Sequence, residues 1–189
     1  PRQTPPRNQQ PNPNPHAVVI TNHSEKMGLR AYQMKARQEI HKGFEDFDRQ
    51  LGVLPTGGGK TILFSRLAQD YQPQRTLILA HREELITQAV DKLRSSTGLE
   101  AQVEMGDDRA SLDAPVVVAS VQTLMREKRR ERWPRDHFGL VVVDEAHHAL
   151  ADSYLNTLGH FHDHAKVLGV TATPDRGDKK NLGRYFENI

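Results

Sequence analysis

The feature that most narrows the fold is the alternation of short, nearly continuous aliphatic runs with helical segments. Val116-Val117-Val118-Ala119 and Leu140-Val141-Val142-Val143 are apolar at every position, so neither run can turn one face to water. Strands of that kind are covered on both sides, and strands connected through helices run parallel. Further β-rich runs lie at 51–54, 76–80, 101–105 and 167–170. Helical segments are expected over 60–71, 82–95, 121–130 and 153–161. An earlier amphipathic helix, marked by Ala31, Met34, Ala36, Ile40, Phe44 and Phe47, ends near Asp46. The expected fold class is therefore α/β, a mostly parallel sheet with helices on both faces. Sheets of this class bind ligands at the carboxyl ends of their strands, so the informative residues should follow each run directly.

Composition adds limits. The 189 residues suffice for one domain with a core. The absence of cysteine removes disulfides and thiolate metal sites. No apolar run reaches membrane-spanning length and no signal-like apolar core opens the chain, so the expectation is a cytoplasmic or otherwise intracellular protein, a nuclear one not excluded, with no membrane partner. A net charge of +2 neither requires nor excludes nucleic acid. Six of the eleven prolines fall within residues 1–16, where there is little to bury. Residues 1–28 are expected to form a tail or linker, and 29–189 the folded domain. The start at Pro1 suggests a segment of something longer.

Directly after the 51–54 run stand Pro55, Thr56, Gly57, Gly58, Gly59, Lys60 and Thr61. Three consecutive glycines allow the backbone to turn its N–H groups inward as an anion nest. The following helix adds the positive end of its dipole. Lys60 can then reach the outer phosphates of a nucleotide, and the Thr61 hydroxyl can ligate Mg²⁺. A strict phosphate loop would have another glycine at Leu54.

A second run, 140–143, leads into Asp144-Glu145-Ala146-His147. Asp144 suits Mg²⁺, held through its water shell, and Glu145 suits orienting and deprotonating an attacking water. An acidic pair after a strand can also be a plain helix start. Together with the glycine loop it reads as the second half of one nucleotide site.

These residues carry a family resemblance. Leu54 to Thr61, Ala80-His81-Arg82-Glu83-Glu84-Leu85, Ala119-Ser120-Val121-Gln122-Thr123-Leu124, Asp144-Glu145-Ala146-His147-His148 and Gly169-Val170-Thr171-Ala172-Thr173-Pro174 resemble, in order and spacing, motifs I, Ia, Ib, II and III. These belong to the first RecA-like domain of superfamily 2 helicases, with a DEAH-type motif II. The likeness runs from about Leu29 to Pro174 and is strongest to the branch of restriction-enzyme motor subunits and DNA-repair helicases. In this family the position of Leu54 is often alanine.

The resemblance implies an ATP- and Mg²⁺-dependent motor acting on nucleic acid, DNA before RNA. It implies catalytic roles for Lys60, Asp144, Glu145 and His147. Gln33, within Arg30-Ala31-Tyr32-Gln33, would read adenine, since an amide offers one donor and one acceptor edge. His81, Arg82, Ser120, Gln122 and Thr123 would lie along the nucleic-acid track, making phosphate and sugar contacts. Thr171 and Thr173 would couple the phosphate state to domain movement. It further implies a second RecA-like domain, for which 189 residues leave no room, and a nuclease or restriction partner. Two other readings stay open: a phosphate-loop ATPase without a nucleic-acid role, and a non-hydrolytic nucleotide-binding scaffold.

Two weaker signals remain. Residues 126–135 hold six basic side chains and Trp133, read as a solvated helix rather than as a base-stacking grip. His160, His162 and His164 alternate in a way that no single helix face can gather, and are read as a polar helix end rather than a metal site.

Overall fold

The computed structural model describes residues 17–19, 29–54, 59–148, 152–172, 182–183 and 185–186. Its elements in chain order are β1 (Ala17–Val19), α1 (Leu29–Asp46), β2 (Arg49–Val53), α2 (Lys60–Tyr71), β3 (Arg75–Ala80), α3 (Glu83–Thr97), β4 (Ala101–Glu104), β5 (Val116–Ser120), α4 (Val121–Leu124), α5 (Glu127–Glu131), β6 (Phe138–Asp144), α6 (Asp152–Phe161) and β7 (Lys166–Thr171). The strands form one sheet of seven in the order β1-β2-β7-β6-β3-β5-β4, and every pairing is parallel. The α/β expectation holds.

Parallel pairing explains the apolar runs. Successive side chains on a strand point to opposite faces, and both faces here are covered. Leu77, Leu79, Val117, Ala119, Val141 and Val143 pack on one side with Val121, Leu124, Tyr154, Leu158, Phe161 and Phe186. Ile78, Val116, Val118, Leu140, Val142 and Val170 pack on the other, under Tyr32, Ile40, Leu63, Phe64, Leu67 and Leu93. The helices α1, α2 and α3 thus cover one face, with α4 and α6 on the other. At Gly169 the packing leaves no room for a side chain: a Cβ there would run into the Phe186 ring and the Ala146 methyl.

Four details depart from the sequence reading. Strand β1 adds to the edge of β2, Ala17 pairing with Leu51; it falls within the stretch expected to be tail, the rest of which lies outside the described residues. The helix expected over 121–130 is two short ones, α4 and α5, broken at Met125 and Arg126. Nor is the basic stretch a solvated helix with a free aromatic. Trp133 is 1% exposed and packs 5.5 Å from the Phe138 ring.

The cause of that break is a buried charge. Glu104, at the end of β4, is fully buried. Its carboxylate accepts hydrogen bonds from Arg129 Nε at 3.0 Å and Nη2 at 2.7 Å, from Arg132 Nη2 at 2.9 Å and from the Ala110 amide at 2.7 Å. Arg129 also donates to the carbonyls of Gly106 and Asp108. One carboxylate therefore draws two arginines inward and closes the 105–113 loop. His160 departs too: it is a core residue, 5% exposed, whose Nε2 lies 2.7 Å from the Trp133 carbonyl. Periodicity cannot register such inward turns, because they are decided by a partner distant in sequence.

This triad gives the first prediction. Glu104→Ala strands Arg129 as a buried unpaired cation, and loss of one partner from such a pair costs about 3–5 kcal/mol. Urea denaturation should show that loss, whereas Lys35→Ala, which breaks only an exposed pair with Glu39, should cost less than about 1 kcal/mol.

Candidate functional site

All seven strands point the same way, so their carboxyl ends line one edge of the sheet. Along that edge stand, in order, the loop after β2, Thr171 ending β7, Asp144 ending β6, His81 after β3 and Ser120 ending β5. Asp144 is in the middle. Neighbouring strands lie about 4.8 Å apart, so the loop after β2 starts roughly 10 Å from Asp144, two strands away.

Lys60 spans that gap. As the first residue of α2 it extends across the edge, and its Nζ meets Asp144 Oδ1 at 2.8 Å. The lysine side chain is 22% exposed and the aspartate 7%, so an ammonium and a carboxylate share a half-enclosed mouth. Gly59 caps α2 in the left-handed region, φ 73°, a conformation that a Cβ would strain. Its carbonyl accepts from the Leu63 amide and, at 3.5 Å, from Gln33 Nε2 of α1. Gln33 therefore sits beside the start of α2. Helix α1 is pinned there by Arg37 and His41, both bound to Asp70 of α2. Thr61 is half-buried in the first turn of α2. Pro55, Thr56, Gly57, Gly58 and Thr173 lie outside the described residues.

After Asp144 the chain reverses sharply. Glu145 has φ 51°, which for a residue with a side chain costs about 1–3 kcal/mol. The turn is held by the Glu145 amide, which donates to Asp144 Oδ1 at 2.9 Å. Both oxygens of the Glu145 carboxylate are taken: Arg82 Nη2 lies 2.8 Å from Oε1 and His81 Nε2 2.9 Å from Oε2. Partial burial alone would push this carboxyl up. The charges of His81, Arg82 and Lys60 outweigh it and hold the group below the usual carboxylate range.

His147 follows in a 3₁₀ turn, Ala146–His148. Its Nδ1 is 3.1 Å from Thr171 Oγ1, and Thr171 itself is 3% exposed. This bond ties the turn after β6 to the end of β7. Sequence reasoning assigned no role to His148, whose ring lies 4.4 Å from His81 and 4.1 Å from His147. Burial and the neighbouring imidazoles push its pKa down. His81, Glu145 and His148 bring their ligand atoms within 4.8 Å of one another, yet Arg82 already neutralises the only carboxylate of the three. Tyr154 was missed as well: burial, with Asp144 and Glu145 nearby, pushes its phenol well up. No periodic or motif signal in the sequence marks that residue.

The residues after β3 and β5 form the far half of the edge. Arg82 and Gln122 are exposed and His81 is half-buried. Ser120 caps α4, its Oγ accepting from the Thr123 amide, and Thr123 Oγ1 accepts from the Gly106 amide at 3.2 Å. Both are buried, at 7% and 5% exposure. Gln122 joins the two loops, its Nε2 donating to the His81 carbonyl at 3.2 Å.

Among the described residues no helix is long and apolar enough to cross a membrane. A putative ATP-dependent helicase, IRC3, of Saccharomyces cerevisiae is 37% identical over 178 residues, covering 85% of this chain and 26% of the relative. A putative DNA 3'-5' helicase, Rad25, of Halobacterium salinarum is 31% identical over 163 residues, covering 84% and 26%. The chain thus spans about a quarter of the length of these curated relatives. Among solved structures, the UvsW helicase from bacteriophage T4 superposes with a TM-score of 0.62 at 26% identity, over 82% of this chain and 56% of that one. The family model described as type III restriction enzyme, res subunit, matches residues 26–176, and the chain, with its lysine and its aspartate meeting at the carboxyl edge of a parallel sheet, belongs to that family.

Proposed function

We propose that this chain is the ATP-binding domain of an ATP-dependent helicase or translocase, acting on DNA in preference to RNA, in which hydrolysis drives movement along the strand. One observation carries the reading: Lys60 and Asp144, 84 positions apart, meet at 2.8 Å where the sheet presents its carboxyl ends, with Glu145 next to them. A cation on a helix start and a carboxylate on a strand end form the donor set that a nucleotide polyphosphate and its divalent ion require.

In this reading the amides of Pro55 to Gly59 and the start of α2 cradle the phosphates. Lys60 leaves Asp144 for the outer phosphates as nucleotide enters. Thr61 and Asp144 would hold Mg²⁺, which would supply positive charge to offset the charge that develops on the phosphates. An oxygen-only donor pair, one hydroxyl and one carboxylate, fits that ion, which keeps several waters of its own. Glu145 orients the attacking water and takes its proton. Gln33, beside Gly59, reads the adenine edge. His147, bonded to Thr171, relays the state of the phosphates to the end of β7, with Thr173 beyond it. Arg82, His81 and Gln122 face the nucleic-acid backbone, with Ser120 and Thr123 shaping the loop beneath. Residues 29–189 form the domain, with β1 added to the edge of its sheet, and the rest of 1–28 a tail or linker; the parent protein is intracellular.

The preference for DNA rests on likeness to the haloarchaeal relative, whose name specifies a DNA helicase. A second RecA-like domain in the parent protein closes over the nucleotide and supplies a transition-state arginine. A nuclease or restriction partner belongs to the same assembly.

Phosphate release by the full-length protein, measured without nucleic acid and then with single-stranded DNA, duplex DNA or RNA, tests the reading, with Glu145→Gln as the blank. Stimulation by DNA above RNA is expected; a flat response with ATP still bound would favour a binding module. Lys60→Ala should abolish nucleotide binding, whereas Glu145→Gln should preserve it and retain ATP unhydrolysed. Equal affinity of Lys60→Ala and wild type would refute the assigned cradle. Because a trans-acting arginine is worth about 10³–10⁵ in rate, the isolated 189-residue chain should bind ATP but turn it over at least about a thousandfold more slowly than the full-length protein.

A further inference from the structure

Building on the function proposed above, we infer that His81 and Arg82 form a latch: they hold the Glu145 carboxylate out of service until a nucleic-acid phosphate takes Arg82 away. They are positioning residues for the attacking water, acting through Glu145, as well as strand contacts.

The geometry has three parts. Each oxygen of the Glu145 carboxylate faces a nitrogen of the latch, at 2.8 Å and 2.9 Å. A carboxylate paired in this way directs its lone pairs at two donors, which leaves no oxygen aimed at an attacking water and opposes the work of a general base. Both partners also come from the loop after β3, whereas Lys60 approaches from the loop after β2, across β7. The carboxylate is thus tied on the side of β6 that faces the strand track. Finally, Glu145 is held in a left-handed backbone conformation, from which a change of φ re-aims the side chain without moving Asp144, anchored on β6.

The same loop is built to answer a strand. The Arg82 side chain is 56% exposed, and a guanidinium pairs as readily with a phosphodiester as with a carboxylate. Exchange of one anion for another strands no charge on Arg82, and it frees Glu145 Oε1. Gln122, the exposed residue after β5, donates to the His81 carbonyl, so a strand lying along both loops moves both halves of the latch together. The latch thereby links occupancy of the track to competence of the base, and the free protein idles.

Turnover by the full-length protein should be compared for wild type, Arg82→Gln, His81→Asn and Arg82→Lys, without nucleic acid and at saturating DNA. Arg82→Gln and His81→Asn should each raise the nucleic-acid-free kcat about tenfold, below the 10²–10⁴ that a general base supplies, with KM for ATP within about twofold of wild type. Arg82→Lys, which keeps a cation but loses the guanidinium geometry, should raise the nucleic-acid-free kcat less than Arg82→Gln does. A purely structural or strand-binding role for these residues would lower turnover or leave it unchanged. An unchanged or reduced nucleic-acid-free kcat in both Arg82→Gln and His81→Asn, with wild type still stimulated by DNA, would overturn the latch and leave the motor reading intact. Absence of stimulation in wild type would overturn both.

Discussion

The structure depends on one constraint, the position of β6 between β7 and β3 in an all-parallel sheet. Its register, Leu79 against Val143 on one side and Asp144 against Val170 on the other, sets Asp144 at the centre of the carboxyl edge. On one side of it lie the loop that follows β2 and the bonded pair His147–Thr171. On the other lie the two loops that carry His81, Arg82 and Gln122. In the proposed function the acidic pair is therefore the junction between a phosphate-facing half and a strand-facing half. A buried central strand, apolar from Leu140 to Val143, is what allows the junction to be rigid, since its backbone pairs on both sides and its side chains pack on both faces.

Across that junction the charges are cross-connected. Lys60 neutralises Asp144, and Arg82 with His81 neutralises Glu145. Each carboxylate is sheltered enough that leaving it unpaired would be costly, so the site is held by internal ion pairs that other anions can replace. In the proposed function, phosphates of a nucleotide compete for the lysine and phosphates of a strand compete for the arginine. The same electrostatic logic thus serves both halves of the edge, and the two exchanges meet at adjacent residues.

Much of this was legible in the residues. Aliphatic runs specified a parallel sheet because only double-sided burial tolerates Val116 to Ala119 or Leu140 to Val143. Three glycines before Lys60 signalled a left-handed turn, which Gly59 adopts. What stayed hidden shares a physical cause: it was decided by partners distant in the chain. Glu104 turns Arg129 and Arg132 inward from a stretch whose composition suggests a solvated surface. Trp133 and His160 join the core through contacts that no local period encodes. The pairing of Glu145 with His81 and Arg82, 63 positions away in the case of Arg82, could be placed only once β3 was known to adjoin β6. His148 gains its electrostatic setting from that same adjacency, and Tyr154 from its burial beside Asp144 and Glu145.

In the proposed function nucleotide is bound at the carboxyl edge, between the start of α2 and the turn after β6. Amide hydrogen exchange of the protein, with and without a non-hydrolysable Mg²⁺-ATP analogue, tests it most directly. The account predicts added protection in the first turn of α2 and in residues 144–148, with none at the opposite edge around Asp48, Asp163 and Lys166. Protection confined to that opposite edge, or unchanged exchange at Lys60 and Glu145 under saturating analogue, would contradict it.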